Sequence, residues 1–218
     1  MLNRMRDSHK GQLAQVVKLT GAINTVLHTA LMCDTEEELG KTCLAAAEEL
    51  TGSKFGFLGE LNAEGLMDDI AISNPGWADC RMAVSDARRY LKDMPIRGID
   101  RSTIRNGVSR IVAQGEMATH PDRVGPPEGH PEITAFLGVP LKVKKGGKVI
   151  GMIGLGNKEG GYDLVDQKAV ESLSVIIVEV LMRKRGQAET AARRDHLERL
   201  RQLTESLPST PSGEFSNE

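Results

Sequence analysis

The sequence predicts an α+β domain built on one antiparallel sheet, and three observations lead to that class. Apolar residues recur at three- and four-residue spacing near both ends of the chain, which is typical of amphipathic helices. Two pairs of short apolar segments, each joined by turn-forming residues, are typical of β-hairpins. The predicted order is helix, helix, hairpin, helix, long loop, hairpin, helix, which indicates a single antiparallel sheet.

The chain begins with two predicted helices. Apolar residues from Leu13 to Leu31 keep helical spacing, so residues 1–33 are expected to form one long helix. Asp34 or Thr35 offers the N-cap of a second helix, and three glutamates follow in its first turn. Thr51-Gly52 is expected to end this helix.

The strands are predicted as two hairpins. The first pairs Lys54–Leu61 with Met67–Ser73 across an Asn-Ala-Glu-Gly turn. The second pairs Ala135–Val143 with Lys148–Leu155 across a Lys-Lys-Gly-Gly turn, and its strands are expected to be central. On the second hairpin we expect these side chains to be buried: Phe136, Leu137, Val139, Ile150 and Ile153.

Between the hairpins, a helix capped by Ser85 or Asp86 is expected to end at Met94-Pro95. The segment Ile99–Gly115 combines a short helix with a short strand. A loop rich in proline and glycine then runs from Gln114 to Glu132. Loops of this length in compact domains are usually functional or disordered.

The last predicted helix opens at Tyr162-Asp163 and carries one apolar face. In residues 184–207 a thinner apolar stripe lies between charged side chains, which indicates either a solvated helix or a coiled-coil seam with a partner chain. Residues 208–218 are predicted to be disordered from their composition.

The composition favours a cytoplasmic protein. The formal net charge of the 218 residues is -2, so no global attraction to nucleic acid or anionic membrane is expected. No apolar run approaches the roughly 20 residues of a membrane span, and the N-terminus is too polar for a signal peptide. The cysteines contain no CxxC pair, which fits a reducing compartment. Cys33 and Cys43 are expected to be buried and, if they share one helix, too far apart for a disulfide.

Three segments of the sequence resemble a GAF domain of the kind found in bacterial sensor histidine kinases and related signalling proteins. They are GHPEITAFLGVPLKV, KVIGMIGLGNKEGGY and DLVDQKAVESLSVIIVEVLMRK. The resemblance assigns residues 34–183 to the GAF domain. It implies a GAF fold, with a central antiparallel sheet of five or six strands, helices on one face, a small-molecule pocket on the other, and long terminal helices.

The resemblance also implies a function. The domain is expected to sense a small molecule and to relay its state through the helices at residues 1–33 and 184–207. The expected partners are a second copy of the chain, in a homodimer, and a histidine kinase or another signalling output protein. No membrane span and no nucleic-acid partner are expected, because the basic stretch Arg183–Arg201 lacks interleaved aromatic residues.

A first candidate ligand site is the segment with Asn157, Lys158, Tyr162, Asp166 and Gln167. It is similar to the NK-F-DE signature of cyclic-nucleotide-binding GAF domains, with Tyr in place of Phe and Gln in place of Glu. Lys158 and Asp166 can pair across the loop before the last helix. The alternative is structural, with a Gly-Gly turn and aspartates at the helix start.

A second candidate is the histidine pair His120 and His130. The loop that holds them resembles that of heme-binding GAF sensor kinases of actinobacteria, and the residue that matches the proximal heme ligand is His130. Imidazole is a common axial ligand of heme iron. The alternative is that His130 supports the loop through a hydrogen bond of its ring. The cofactor therefore stays open, with heme as one possibility and no other metal expected.

A third candidate is the segment that contains Trp77, Cys80 and Arg81. Trp77 is the single tryptophan and follows a strand, where the rim of a pocket would lie. Arg81 can pair a ligand carboxylate or phosphate with two hydrogen bonds. The alternative is that Trp77 covers the core and Arg81 forms a surface ion pair.

No catalytic activity is expected. Some GAF domains reduce free methionine sulfoxide, but that chemistry requires an activated thiolate and a resolving cysteine. Here Cys33 and Cys43 both fall in the N-terminal helical region. The sequence also contains no HExxH, P-loop or GxGxxG motif.

Overall fold

A computed structural model describes residues 2–73, 81, 92–117, 119–121, 124, 128–144 and 147–205, with side chains from residue 10 onward. Trp77, Cys80, most of the helix predicted from Ser85 or Asp86, and the tail 208–218 lie outside these residues. Near the predicted end of that helix, Met94 forms an isolated antiparallel bridge with Met67.

Four helices and five strands lie in the described part of the chain, and their order agrees with the sequence prediction. Both hairpins, the two helices before the first hairpin, the short helix and strand within Ile99–Gly115 and the final helix are confirmed. The elements are α1 (Leu2–Met32), α2 (Glu36–Thr51), β1 (Phe55–Leu61), β2 (Met67–Ile72), α3 (Gly98–Asn106), β3 (Arg110–Val112), β4 (Phe136–Lys142), β5 (Val149–Gly156) and α4 (Leu164–Glu205).

Local signals determine where α2 begins and ends. Thr35 is its N-cap, with an extended backbone and a side-chain oxygen that accepts a hydrogen bond of 3.2 Å from the amide of Glu38. The side chain of Glu38 in turn accepts a hydrogen bond from the amide of Asp34. Gly52, with a φ of 76°, ends the helix in the left-handed conformation that glycine adopts without strain.

The five strands form one antiparallel sheet in the order β2-β1-β5-β4-β3. One face of the sheet packs against α1, α2 and α4, and we call it the helix face. The other face packs against the short helix α3, and we call it the α3 face. Successive side chains of β5 point to opposite faces. Ile153 belongs to the core of the helix face, and Met152 belongs to the cluster on the α3 face.

The predicted core positions of the second hairpin are largely confirmed. Phe136, Leu137, Val139 and Ile153 are buried. The prediction that Ile150 is buried is wrong, because its side chain is only half-buried. The pairing of β4 with β5 shifts next to it, from Leu141 with Gly151 to Lys142 with Val149, so Ile150 is the extra residue of a bulge.

The cysteine prediction also needs one correction. Cys43 lies in α2 and is buried, as expected. Cys33 is half-buried and follows the end of α1, so the two thiols do not share one helix. Burial raises the pKa of the Cys43 thiol to about 12, with a smaller contribution from the nearby Cys33.

The chain divides into two compact units, Met1–Met182 and Arg183–Glu218. Helix α4 is continuous across the boundary, and Gly186 does not interrupt it. Its first part is buried against the sheet, whereas the leucines of its last part are exposed, with Leu197 at 58% and Leu203 at 64%. Within the described residues, no helix combines the length and the apolar character that crossing a bilayer requires.

Candidate functional site

The α3 face carries an apolar cluster that is separate from the main core. It includes two aromatic rings and four thioethers, a composition that suits the wall of a small-molecule pocket. Its buried members are Met67, Ile99, Val112, Phe136 and Met152, and its half-buried members are Phe57, Met94, Ile96, Ile104, Met117 and Ile133.

Aromatic rings cover the glycines in the floor of this face. Phe57 and Gly154 are register partners, and a Cβ at Gly154 would lie 2.2 Å from Cε1 of the Phe57 ring. Phe55 covers Gly156 in the same way, at 2.6 Å. The rings fit against the sheet because these glycines have no side chain. A Cβ at either position would displace the ring that covers it.

A β-bulge in β2 turns Asp69 toward the α3 face. Leu58 pairs with Ala71 and Gly59 pairs with Asp69, so Ile70 is an extra residue. As a result Ala71 belongs to the core of the helix face, although it is two positions from Asp69. A Cβ at Gly59 would lie 2.9 Å from Oδ1 of Asp69, so the glycine leaves the space that this carboxyl group occupies.

Asp69 and Asp100 are two carboxyl groups with raised pKa values. Burial raises the pKa of Asp69 to about 8, repulsion by Asp100 adds to the shift, and Lys92 opposes it. Burial raises the pKa of Asp100, in the first turn of α3, to about 7. Each residue keeps some exposed surface, but Oδ1 of Asp69 is buried without a hydrogen-bond partner.

This pair is not among the candidate sites predicted from the sequence. The available signal was an acidic residue inside the apolar strand segment MDDIAI. Its side-chain direction depends on the bulge at Ile70, and its proximity to Asp100 depends on the packing of α3. Neither follows from the local sequence pattern.

Asn157 ties the end of the long loop to the end of β5. Its side-chain oxygen accepts hydrogen bonds from the amide and the hydroxyl of Thr134, at 2.7 Å and 3.1 Å. Its amide nitrogen donates to the carbonyl of Glu132 at 2.8 Å. The backbone of Asn157 is left-handed, with a φ of 61°. The role seen for Asn157 is therefore to hold the loop.

Lys158 and Asp166 form the predicted pair, with 2.5 Å between Nζ and Oδ2. Asp163 caps α4 by accepting hydrogen bonds from the amides of Val165 and Asp166, while Asp166 accepts one from the amide of Asp163. These contacts match the structural alternative for the segment. Ligand binding by Asn157 and Lys158 stays a prediction.

Tyr162 links the same segment to the end of α2. Its hydroxyl lies 2.8 Å from the hydroxyl of Ser53, which lies 2.6 Å from that of Thr51. Burial raises the pKa of Tyr162 to about 12. The aromatic residue of the signature is thus part of the core, where Tyr162 is 8% exposed.

The structure brings two of the other predicted site segments together. The amide of Arg81 donates a hydrogen bond of 2.8 Å to the carbonyl of Gly129, next to His130. Arg81 and His130 are exposed and His120 is half-buried. Trp77 and Cys80 lie outside the described residues, so a role in ligand binding stays a prediction for them.

The ring of His130 makes the hydrogen bond expected of a loop support. Its Nδ1 donates to the carbonyl of Pro131 at 2.8 Å. Because the residue is exposed, the described residues do not enclose the apolar macrocycle that heme requires around an axial ligand. The described residues around His130 therefore do not by themselves form a heme pocket, and the cofactor alternative stays a prediction.

The sequence model of the GAF domain matches residues 33–182. None of the curated proteins compared with the chain is a significant match.

Three solved structures show the same fold at low sequence identity. The GAF domain of a phosphoenolpyruvate-protein phosphotransferase from Coxiella burnetii has a TM-score of 0.62 and 14% identity, over 79% of this chain and 98% of that one. Free methionine-R-sulfoxide reductase from Neisseria meningitidis, in complex with its substrate, has a TM-score of 0.58 and 14% identity, over 78% and 91%.

The third is the GAF domain of a Pseudomonas syringae pv. tomato protein assigned as a sensor histidine kinase. It has a TM-score of 0.53 and 14% identity, over 87% of this chain and 99% of that one. At this identity the structural likeness establishes the fold. Together with the match of the family model over most of the chain, it shows that the protein belongs to the GAF domain family.

Proposed function

We propose that this chain is a small-molecule-sensing GAF domain of cytoplasmic bacterial signal transduction. It relays ligand state through α1 and α4 to a dimer partner or to an output protein such as a histidine kinase. The observation that carries the proposal is the apolar cluster on the α3 face, which one sheet separates from the terminal helices.

Strand β5 contributes side chains both to the apolar cluster of the α3 face and to the core of the helix face. Met152 faces the apolar cluster, and its neighbour Ile153 is fully buried in the core that includes Val26 of α1 and Leu173 of α4. A ligand that displaces side chains on one face therefore changes packing on the other, since close-packed cores transmit small shifts.

The segments on either side of the long loop are also bonded to α4, directly or through a neighbouring residue. Before the loop, the hydroxyl of Ser109 donates a hydrogen bond of 2.6 Å to Oε1 of Glu171 in α4. After the loop, Asn157 holds Glu132, and the adjacent Lys158 pairs with Asp166 in the first turn of α4. Ligand that favours one loop arrangement would shift the position of α4 by as much as its difference in affinity allows.

Exposed apolar side chains on the terminal helices support the homodimer. On α1, Leu13 is 65% exposed and Val17 is 63% exposed. On the last part of α4, Leu200 and Leu203 are also exposed at a three-residue spacing. Apolar stripes of this kind are covered when two chains associate.

We propose no catalytic step for the domain. The thiol of Cys43 is buried and its pKa is raised to about 12, which disfavours the reactive thiolate. The likeness to methionine-R-sulfoxide reductase concerns the fold.

The sensing role is tested in two steps. Native mass spectrometry of protein purified from its own host should show a retained small molecule. Hydrogen–deuterium exchange should then show that removal of this molecule changes protection in α1 and α4. A bound molecule that leaves the exchange of both helices unchanged would contradict the relay, and absence of any ligand would contradict sensing itself.

A further inference from the structure

Two acidic residues lie on elements that contribute to the apolar cluster of the α3 face. Asp69 comes from the edge strand β2, and Asp100 comes from α3. The salt bridges of the described chain include neither residue. Oδ1 of Asp69 is a buried oxygen without a hydrogen-bond partner, next to Met67 and Gly59.

Lys92 is the cation that acts on Asp69, but its ammonium group is already engaged. Nζ of Lys92 lies 3.3 Å from Oδ2 of Asp68, and the lysine side chain is 67% exposed. Asp68 also accepts hydrogen bonds from the amide of Asp93 and the side chain of Asn62, which lower its pKa. The two neighbouring carboxyl groups therefore differ in their partners. Asp68 has hydrogen bonds and an ion pair within the chain, whereas Oδ1 of Asp69 has no hydrogen-bond partner.

An ionised carboxyl group in an apolar region is stable when a cation pairs with it, and otherwise takes up a proton. A metal ion is disfavoured as the cation, because the described residues contain no group of three or more His, Cys, Asp or Glu that could hold one. An organic ammonium ion needs fewer ligands, and an aromatic ring such as Phe57 favours it as well.

We infer that Asp69 and Asp100 anchor the ammonium group of a small organic cation, whose apolar part contacts Phe57 and Met67. This ligand class deepens the sensing role proposed above and rests on it. Gly59 and the bulge at Ile70 position the sheet carboxylate, and the first turn of α3 positions the other. Two carboxylates next to an apolar cluster favour a cation over a neutral molecule or an anion.

The test uses the full chain and titration calorimetry at pH 8. The probes are the chlorides of n-butylammonium and 2-phenylethylammonium, and 1-butanol and 2-phenylethanol are the neutral counterparts. The ammonium ions should bind and the alcohols should bind at least about 30-fold more weakly, as expected when one partner of a buried charge pair is missing.

Variants assign the binding to the two carboxyl groups. Asp69→Asn and Asp100→Asn should each lower ammonium affinity by about 30-fold or more. Glu64→Gln is the control, since it removes an exposed carboxylate in the turn between β1 and β2 and leaves Lys92 paired with Asp68. Its affinity should stay within about twofold of the wild type.

Proton release gives a measurement that does not depend on the variants. Near pH 7 Asp69 favours the protonated form and Asp100 is about half protonated, so a bound cation should displace protons. Calorimetry in phosphate and in Tris should therefore give different apparent enthalpies, and ammonium affinity should fall as the pH is lowered from 8 to 6.

The outcomes separate this inference from the sensing role. Equal affinity for ammonium ions and alcohols, no binding, or binding without proton release would overturn it. If the molecule retained by native protein is neutral or anionic, the sensing role is supported and the binding of an ammonium group by Asp69 and Asp100 is contradicted. If ammonium ions bind but hydrogen–deuterium exchange in α1 and α4 does not change, the ammonium site is supported and the relay of ligand state through these helices is contradicted.

Discussion

The ammonium group of Lys158 lies 2.5 Å from Oδ2 of Asp166, and this contact joins the end of β5 to the first turn of α4. Asp166 is 5% exposed, so the pair is a largely buried one. Asp166 also helps to cap α4. The pair therefore belongs to the connection between the sheet and the helix that we propose to carry the signal.

Removal of Lys158 is expected to destabilise the domain. Lys158→Ala leaves a buried carboxylate without its cation, so the free energy of unfolding in urea should fall by about 1–3 kcal/mol. Lys41→Ala is the control, because it breaks the exposed pair of Lys41 with Glu37. The control should leave the urea midpoint unchanged, and equal effects of the two variants would contradict a structural role for Lys158.

Gly154 is expected to tolerate no side chain while Phe57 is present. Gly154→Ala places a Cβ 2.2 Å from the Phe57 ring and should lower stability by about 1–3 kcal/mol, the usual cost of overpacking. Combining it with Phe57→Leu should cost less than the sum of the two single changes. Additive losses in urea unfolding would mean that the ring does not cover the glycine. Gly186→Ala, with nothing within 4 Å, is the control.

Homodimer formation is expected to depend on the exposed apolar side chains of the terminal helices. Deletion of α1 is not a clean test, because Val26 is fully buried in the core. The double changes Leu13→Glu with Val17→Glu, and Leu200→Glu with Leu203→Glu, should lower the mass measured by light scattering toward that of a monomer. Val108→Glu, at an exposed position elsewhere, should not. A dimer unaffected by both double variants would contradict the helix interface.

Stability without ligand is expected to fall as the pH rises from about 5 to about 7. The pKa values of Asp69 and Asp100 are raised to about 8 and about 7, so the folded state holds protons that the unfolded state has released. Glu48, whose pKa burial raises to about 6, contributes with the same sign. Urea unfolding across this range should show a smaller pH dependence in Asp69→Asn. An unchanged slope would contradict the burial of this carboxyl group.

Protein expressed with added heme is expected to be colourless. His130 is exposed and its Nδ1 bonds to the carbonyl of Pro131, an arrangement that supports the loop. A Soret band present in the wild type, lost in His130→Ala and retained in His120→Ala would overturn this expectation. It would make the heme sensor the leading function.

Local sequence was sufficient to predict most of the helices and strands and the family of the protein. Thr35 and Gly52 act within a few residues of themselves, so the ends of α2 could be read directly. The strands of the hairpins follow from apolar segments and turn residues between neighbours in the chain. The pairing of Lys158 with Asp166 was also predictable, because only eight positions separate the two residues.

The tertiary structure decided the site. One extra residue at Ile70 reverses the side-chain alternation in β2, and this reversal puts Asp69 and Ala71 on opposite faces. Asp100 approaches Asp69 because α3 packs on that face, and Arg81 reaches Gly129 across 48 positions of the chain. Such contacts depend on bulges and on packing between distant segments. Apolar periodicity in a single segment predicts neither the bulges nor this packing. The sequence by itself therefore determined the helices and strands, whereas the folded chain determined which carboxyl groups lie close together.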